Sequence, residues 1–154
     1  MTSGMLVVTL ASVLAVEAFG GIQSVDFSGA WVLEEREGKS VQGPAQIMRV
    51  EQTSGELTVE SSVGGTKPLR LVYRLDGVES PNVVGRSNWT STAAWQGATL
   101  VIRTARVTRG SAGETTTNTV ESWTREDERT LVRTTRVMGT NQDGKDVRLV
   151  FRRK

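Results

Sequence analysis

The sequence predicts an all-β domain: an antiparallel up-and-down meander of about ten short strands, closed into a barrel. Three observations carry this. Past Asp26, apolar residues alternate with polar ones at a period of two, and no run of 11 or more residues keeps a helical period. Clusters of Gly, Asn and Asp interrupt the alternation every 8–14 residues, where tight turns need residues that tolerate positive φ. Composition agrees, with 37% hydrophobic residues and 16 Gly against 3 Pro. Such a chain suits sheets with one wet face better than buried helices.

The 154 residues suffice for one domain. Met5–Val16 is an apolar run broken only by Thr9 and Ser12, too short to span a bilayer as a helix and of the length of a signal-peptide core. Val16-Glu17-Ala18 places small residues where a signal peptidase reads them. Residues 1–18 are therefore expected to be a signal peptide and 19–154 the barrel domain, secreted or periplasmic. No Lys or Arg precedes the run, and a short helix packed on the domain is the alternative.

The strands are expected at 28–35, 45–52, 56–63, 67–75, 79–84, 87–95, 98–108, 115–124, 129–138 and 145–153. Leu69, Leu71, Tyr73 and Leu75 enclose Arg70 and Arg74, the clearest alternation. Leu57, Val59, Ser61 and Val63 repeat it, as do Val147, Leu149 and Phe151 near the end. Short turns make neighbouring strands antiparallel, and closure removes the two edges an open sheet would expose. Glu34 to Pro44 is the one longer link, with room for a helical turn or a cap.

There is no His and no Cys. A disulfide framework, a thiol nucleophile and a Ser–His–Asp triad are thereby excluded, and the commonest metal ligand is missing. The carboxylate clusters Glu34–Glu35–Glu37 and Glu126–Asp127–Glu128 have the look of solvated strand ends, and no phosphate loop or nucleophile elbow occurs. The expectation is a protein that is not an enzyme and uses no metal or cofactor. Residues 1–98 hold 7 Lys/Arg and 10 Asp/Glu, whereas 99–154 hold 12 and 7, too small an excess for a nucleic-acid site. No stable membrane span and a monomer are expected.

Arg103 and Arg106 have opposite strand parity, as do Arg133 and Arg136, so one of each pair should point inward. An inward Arg must be paired or face a wet interior. Glu121 is the internal carboxylate best placed to neutralise it. Trp89 and Trp95, six apart, share a face, either as core fillers or as pocket walls. Tyr73, Trp89, Arg106 and Arg133 are the candidate ligand-binding residues.

The segment Asp26-Phe27-Ser28-Gly29-Ala30-Trp31-Val32-Leu33 resembles the opening of the calycin superfamily, which includes lipocalins and fatty-acid-binding proteins. The layout through Asp76-Gly77 and Trp95-Gln96-Gly97 to Leu149-Val150-Phe151 resembles secreted bacterial proteins with a lipocalin-like barrel. The resemblance implies that Gly29 and Trp31 close one end, with an Arg of the last strand, Arg148 or Arg152, stacked on Trp31. It also implies a barrel holding a small apolar or amphipathic molecule. The inward Arg-x-Tyr of fatty-acid-binding proteins is replaced here by Leu149-Val150-Phe151, so their carboxylate clamp does not carry over. The alternative is a solid barrel acting through its surface as an interaction or inhibitor-like envelope module. An inward, unpaired Arg favours the first.

Overall fold

The computed structural model describes residues 24–139 and 144–154, so the expected signal peptide lies outside the described residues. Eleven strands follow one another: β1 (Gly29–Arg36), β2 (Lys39–Ser40), β3 (Gln46–Gln52), β4 (Glu56–Val63), β5 (Leu69–Arg74), β6 (Ser80–Val84), β7 (Ser87–Gln96), β8 (Thr99–Gly110), β9 (Gly113–Asp127), β10 (Thr130–Met138) and β11 (Asp146–Arg153). All pairings are antiparallel, in the order β5-β4-β3-β1-β11-β10-β9-β8-β7-β6. The ten expected strands are all present, and the meander curls into a nearly closed barrel. The alternation does what it promised in β5, where Leu71 and Tyr73 are buried and Arg70 and Arg74 exposed.

The Glu34–Pro44 link holds a hairpin in place of a helical turn. Glu37 and Gly38 both take positive φ, 51° and 74°, the combination a two-residue hairpin of the right twist requires. β2 thereby folds back on β1, pairing Lys39 with Arg36 and Ser40 with Glu35. A bulge between Leu33 and Glu35 shifts the β1–β11 register, and Glu34, outward by alternation from the buried Leu33, lies 3.3 Å from Arg152.

The first and last strands of the path, β5 and β6, meet along a seam stitched by side chains. The Asn82 carboxamide accepts from the Val72 N–H and donates to the Val72 carbonyl, both at 2.9 Å. The Ser80 hydroxyl accepts from the Arg74 N–H at 2.7 Å. One amide side chain thus takes the place of a peptide unit in a missing ladder rung. That answers the edge problem without full backbone pairing.

Candidate ligand site inside the barrel

The two ends of the barrel differ, and the difference starts with Gly29. Its φ of +136° lets the chain leave residues 24–28 and enter β1 across the base. Phe27 is thereby fully buried; its N–H donates to Gln52 Oε1 at 2.9 Å, and its carbonyl accepts from Trp31 Nε1 at 2.9 Å. Phe27 stacks on Trp95 with centroids 5.7 Å apart and meets Trp123 edge-on at 5.8 Å. With Trp31, Leu100, Leu131 and Phe151, all fully buried, these rings make a solid plug.

The cation on Trp31 is Arg153, with its guanidinium carbon 4.6 Å from the ring centroid. Its Nε also donates to the Glu128 carbonyl at 3.0 Å. Arg148, expected in this role, points outward to Glu126 at 2.9 Å, and Arg152 outward to Glu34. The reason is parity: Leu149 and Phe151 face the core, so Arg153 faces it too and the even-numbered arginines cannot.

Above the plug lies a polar layer. Arg133 projects inward from β10, its Nη2 donating to Glu121 Oε2 at 3.0 Å, and both side chains are less than one-fifth exposed. Glu121 Oε2 also accepts from Trp123 Nε1 at 3.0 Å. The guanidinium lies between two rings, 4.8 Å from the Trp123 centroid and 5.7 Å from that of Phe151, the stacked use to which Arg is suited. Tyr73 faces this pair from β5. Burial pushes its phenol well above the usual range, reinforced by the Glu121 charge and partly opposed by Arg133.

From this layer to the mouth the inward faces turn polar and wet. Ser91 and Thr104 share a hydrogen bond at 2.7 Å, as do Ser87 and Thr108. Trp89, Thr117, Thr119, Thr135 and Val137 all carry inward parity, yet are only half-buried and keep contact with solvent. Arg106, paired with Trp89 across β7–β8, lies exposed over that ring at 5.7 Å. Among the described residues it has no acidic partner within salt-bridge distance. Among the described residues two buried N–H donors find no acceptor, Trp89 Nε1 and Arg133 Nε, and an unpaired buried donor is costly enough to expect a partner.

The parity expectation for the arginines is therefore met, with Arg106 and Arg133 inward and Arg103 and Arg136 outward, Arg136 on Asp146 at 2.7 Å. The four candidate residues divide between two places. Tyr73 and Arg133 belong to the polar layer with Glu121, and Trp89 and Arg106 belong to the mouth. Met48, which accepts weakly from Arg133 Nη1 at 3.5 Å, and Trp123 belong to the layer as well. Met48 had no signal beyond strand alternation. A surface hollow of about 640 Å³ at the closed end is lined by Glu34, Asp127, Glu128, Arg129, Arg152 and Arg153. Its three acids and three bases balance, and it offers no charge selectivity.

No family model and no curated protein sequence matches the chain. Solved structures do match in fold. The lipid binding protein 8 of Caenorhabditis elegans aligns with a TM-score of 0.59 at 8% identity, over 83% of this chain and 95% of that one. The fatty acid transporter REP1-NXSQ aligns at 0.56 and 12%, over 82% and 95%. Secretory abundant heat soluble protein 4 of Ramazzottius varieornatus aligns at 0.60 and 11%, over 82% and 94%. At these identities the likeness is one of fold alone, that of an antiparallel up-and-down β-barrel.

Proposed function

We propose that this chain binds a small apolar or amphipathic molecule inside the barrel, without catalysis, in a secreted or periplasmic setting. The observation that carries the proposal is the mouth half, where inward side chains are open to solvent beside a buried indole N–H with no protein acceptor. Pockets that take such ligands combine apolar and aromatic walls with a few placed polar groups, and Leu71, Val59 and Leu149 supply the apolar wall. The names of the similar structures, a fatty acid transporter and a lipid binding protein, support this choice of ligand class. The export setting rests on the apolar run Met5–Val16 alone. Mass spectrometry of the N-terminus of secreted protein tests it: a chain starting near Phe19 supports cleavage, and an intact Met1 refutes it.

The binding test is a panel of fatty acids, esters and quinones, followed by tryptophan quenching and native mass spectrometry. Saturable quenching with a one-to-one mass shift is expected. No binding at about 50 μM, where a weak site worth about 6 kcal/mol is already half-filled, sinks the proposal. That outcome favours the surface-acting alternative, for which the solid aromatic plug of the closed half is the supporting observation.

A further inference from the structure

We infer that the site takes an anionic amphiphile head-out, with its carboxylate or phosphate at Arg106 in the mouth and its tail directed down towards Tyr73. The inference rests on the binding proposal above and adds to it the ligand's charge and orientation.

Three observations converge. First, the one cation of the inner layer among the described residues is already committed. Arg133 is held by Glu121 and boxed between Trp123 and Phe151, so the layer carries no net charge. An anionic head descending to it meets the Glu121 carboxylate and loses its water in exchange for one N–H, an unfavourable trade. Second, the mouth holds the reverse arrangement. Arg106 lies over the Trp89 ring, exposed and with no acidic partner among the described residues. A guanidinium whose N–H fork is not taken by a carboxylate is chemistry for an oxyanion.

Third, the rim is basic. The meander brings the turns after β1, β4, β6, β8 and β10 to the mouth end. There Glu37 is matched by Lys145 at 3.6 Å and Glu114 by Arg109 at 3.0 Å. Arg36, Lys39, Lys67 and Arg86 occupy the same rim with no acidic partner among the described residues. Cations gathered around an opening raise the local concentration of anions and steer them in. A neutral layer below and a cationic mouth above fix the polarity of the occupant: charge at the top, hydrocarbon beneath.

The test compares laurate with methyl laurate on the whole exported domain, by tryptophan quenching and native mass spectrometry. Arg106 is exposed, so R106Q retains the fold. This variant is expected to weaken laurate by about tenfold, equivalent to about 1.4 kcal/mol, and to leave methyl laurate within about twofold. In the wild type, 5-doxylstearate, whose nitroxide sits near its carboxylate, is expected to quench mainly Trp89. Its quenching should largely vanish in W89F and persist in W95F. The opposite orientation has its own signature: R106Q without effect, E121Q strengthening laurate by releasing Arg133, and 5-doxylstearate quenching W89F fully. That result overturns the inference while leaving the binding proposal intact. Failure of both laurate and its ester to bind overturns both.

Discussion

Replacing Gly29 by Ala tests whether the closed end is held by a single backbone conformation and a single cation. At φ +136° the residue lies outside the left-handed well that L-residues visit. An Ala there costs about 1–3 kcal/mol in backbone strain. A Cβ would also stand 2.8 Å from Arg153 Nη1 and 3.3 Å from its guanidinium carbon. The guanidinium can swing away, but only by leaving Trp31, at about 0.5–1 kcal/mol, and the Glu128 carbonyl, at about 0.5–1.5 kcal/mol. The sum is about 2–4 kcal/mol, allowing for incomplete additivity. Urea unfolding followed by tryptophan fluorescence reads this as a midpoint lowered by about 1–2 M, for a slope near 2 kcal/mol/M. In an R153A background the same substitution should cost about 1 kcal/mol less, because the displaced cation is gone. A midpoint shift below about 0.3 M in G29A refutes the argument, since it would place the loss under about 0.6 kcal/mol.

Asn82→Ala removes both hydrogen bonds across the β5–β6 seam and leaves the Val72 amide to water. About 1–2 kcal/mol is expected to be lost, with faster hydrogen exchange confined to β5 and β6; uniform exchange across the barrel would show that the seam is no separate weak point. Tyr73 is the only tyrosine, so the ultraviolet tyrosinate signal reports it alone. Its folded pKa is raised, so its contribution to stability is present below the unfolded value of 10.0 and is lost as pH rises beyond that. Tyrosinate should therefore appear together with alkaline unfolding, and Y73F should blunt that limb; a free titration near pH 10 in the folded protein would contradict its burial. At the acid side Asp26, Asp76, Asp127 and Asp146 are all lowered, the first three chiefly or partly by bonds from Ser28, Arg74 and Thr130, and Asp146 by Arg136. Their contribution is present above the ordinary aspartate value of 3.8 and falls as pH drops below it. With no His or Cys, melting temperature should be flat from about pH 5 to 9, and a step near pH 6.5 would be inconsistent with the side chains present.

Strand parity made more of this molecule legible than any motif did. Alternation over Leu69–Leu75 and Val147–Phe151 located strands and faces alike, because side chains that share a face share a core. The same rule, carried one step past Phe151, selects Arg153 as the cation on Trp31 and excludes both Arg148 and Arg152, the arginines the resemblance implies. Arg106, Arg133 and Glu121 were also readable by parity. Three features were not. The β1 bulge and the two-residue strand β2 depend on local backbone geometry that Glu37, an unremarkable residue, does not advertise. Asn82 stitches the seam because β5 and β6 end up adjacent through curvature accumulated over the whole sheet. The division of the interior into a plug and a wet half depends on how far each strand extends, which turn residues locate only to within a few positions.

The Arg133–Glu121 pair is the place where plug becomes pocket, and its presence needs a reason other than stability. Two charges less than one-fifth exposed forfeit hydration that their mutual attraction seldom more than repays. Removing one partner alone leaves the other poorly solvated: R133M or E121L should each lose about 2–3 kcal/mol, less than a fully buried pair because water still reaches both. Replacing both, as E121L/R133M, should recover only part of that loss: Leu and Met extend the apolar core of Trp123, Phe151 and Met48 upward, but Trp123 Nε1 loses its acceptor. The same change makes the bottom of the pocket apolar. Thermal melts and binding of alkyl chains of increasing length, measured on the three variants, separate the roles. A double variant as unstable as either single would mean the pair holds the fold together. A stable double variant that binds alkyl chains with altered length preference would mean that the pair sets where the core stops, so that the mouth half stays open to a ligand.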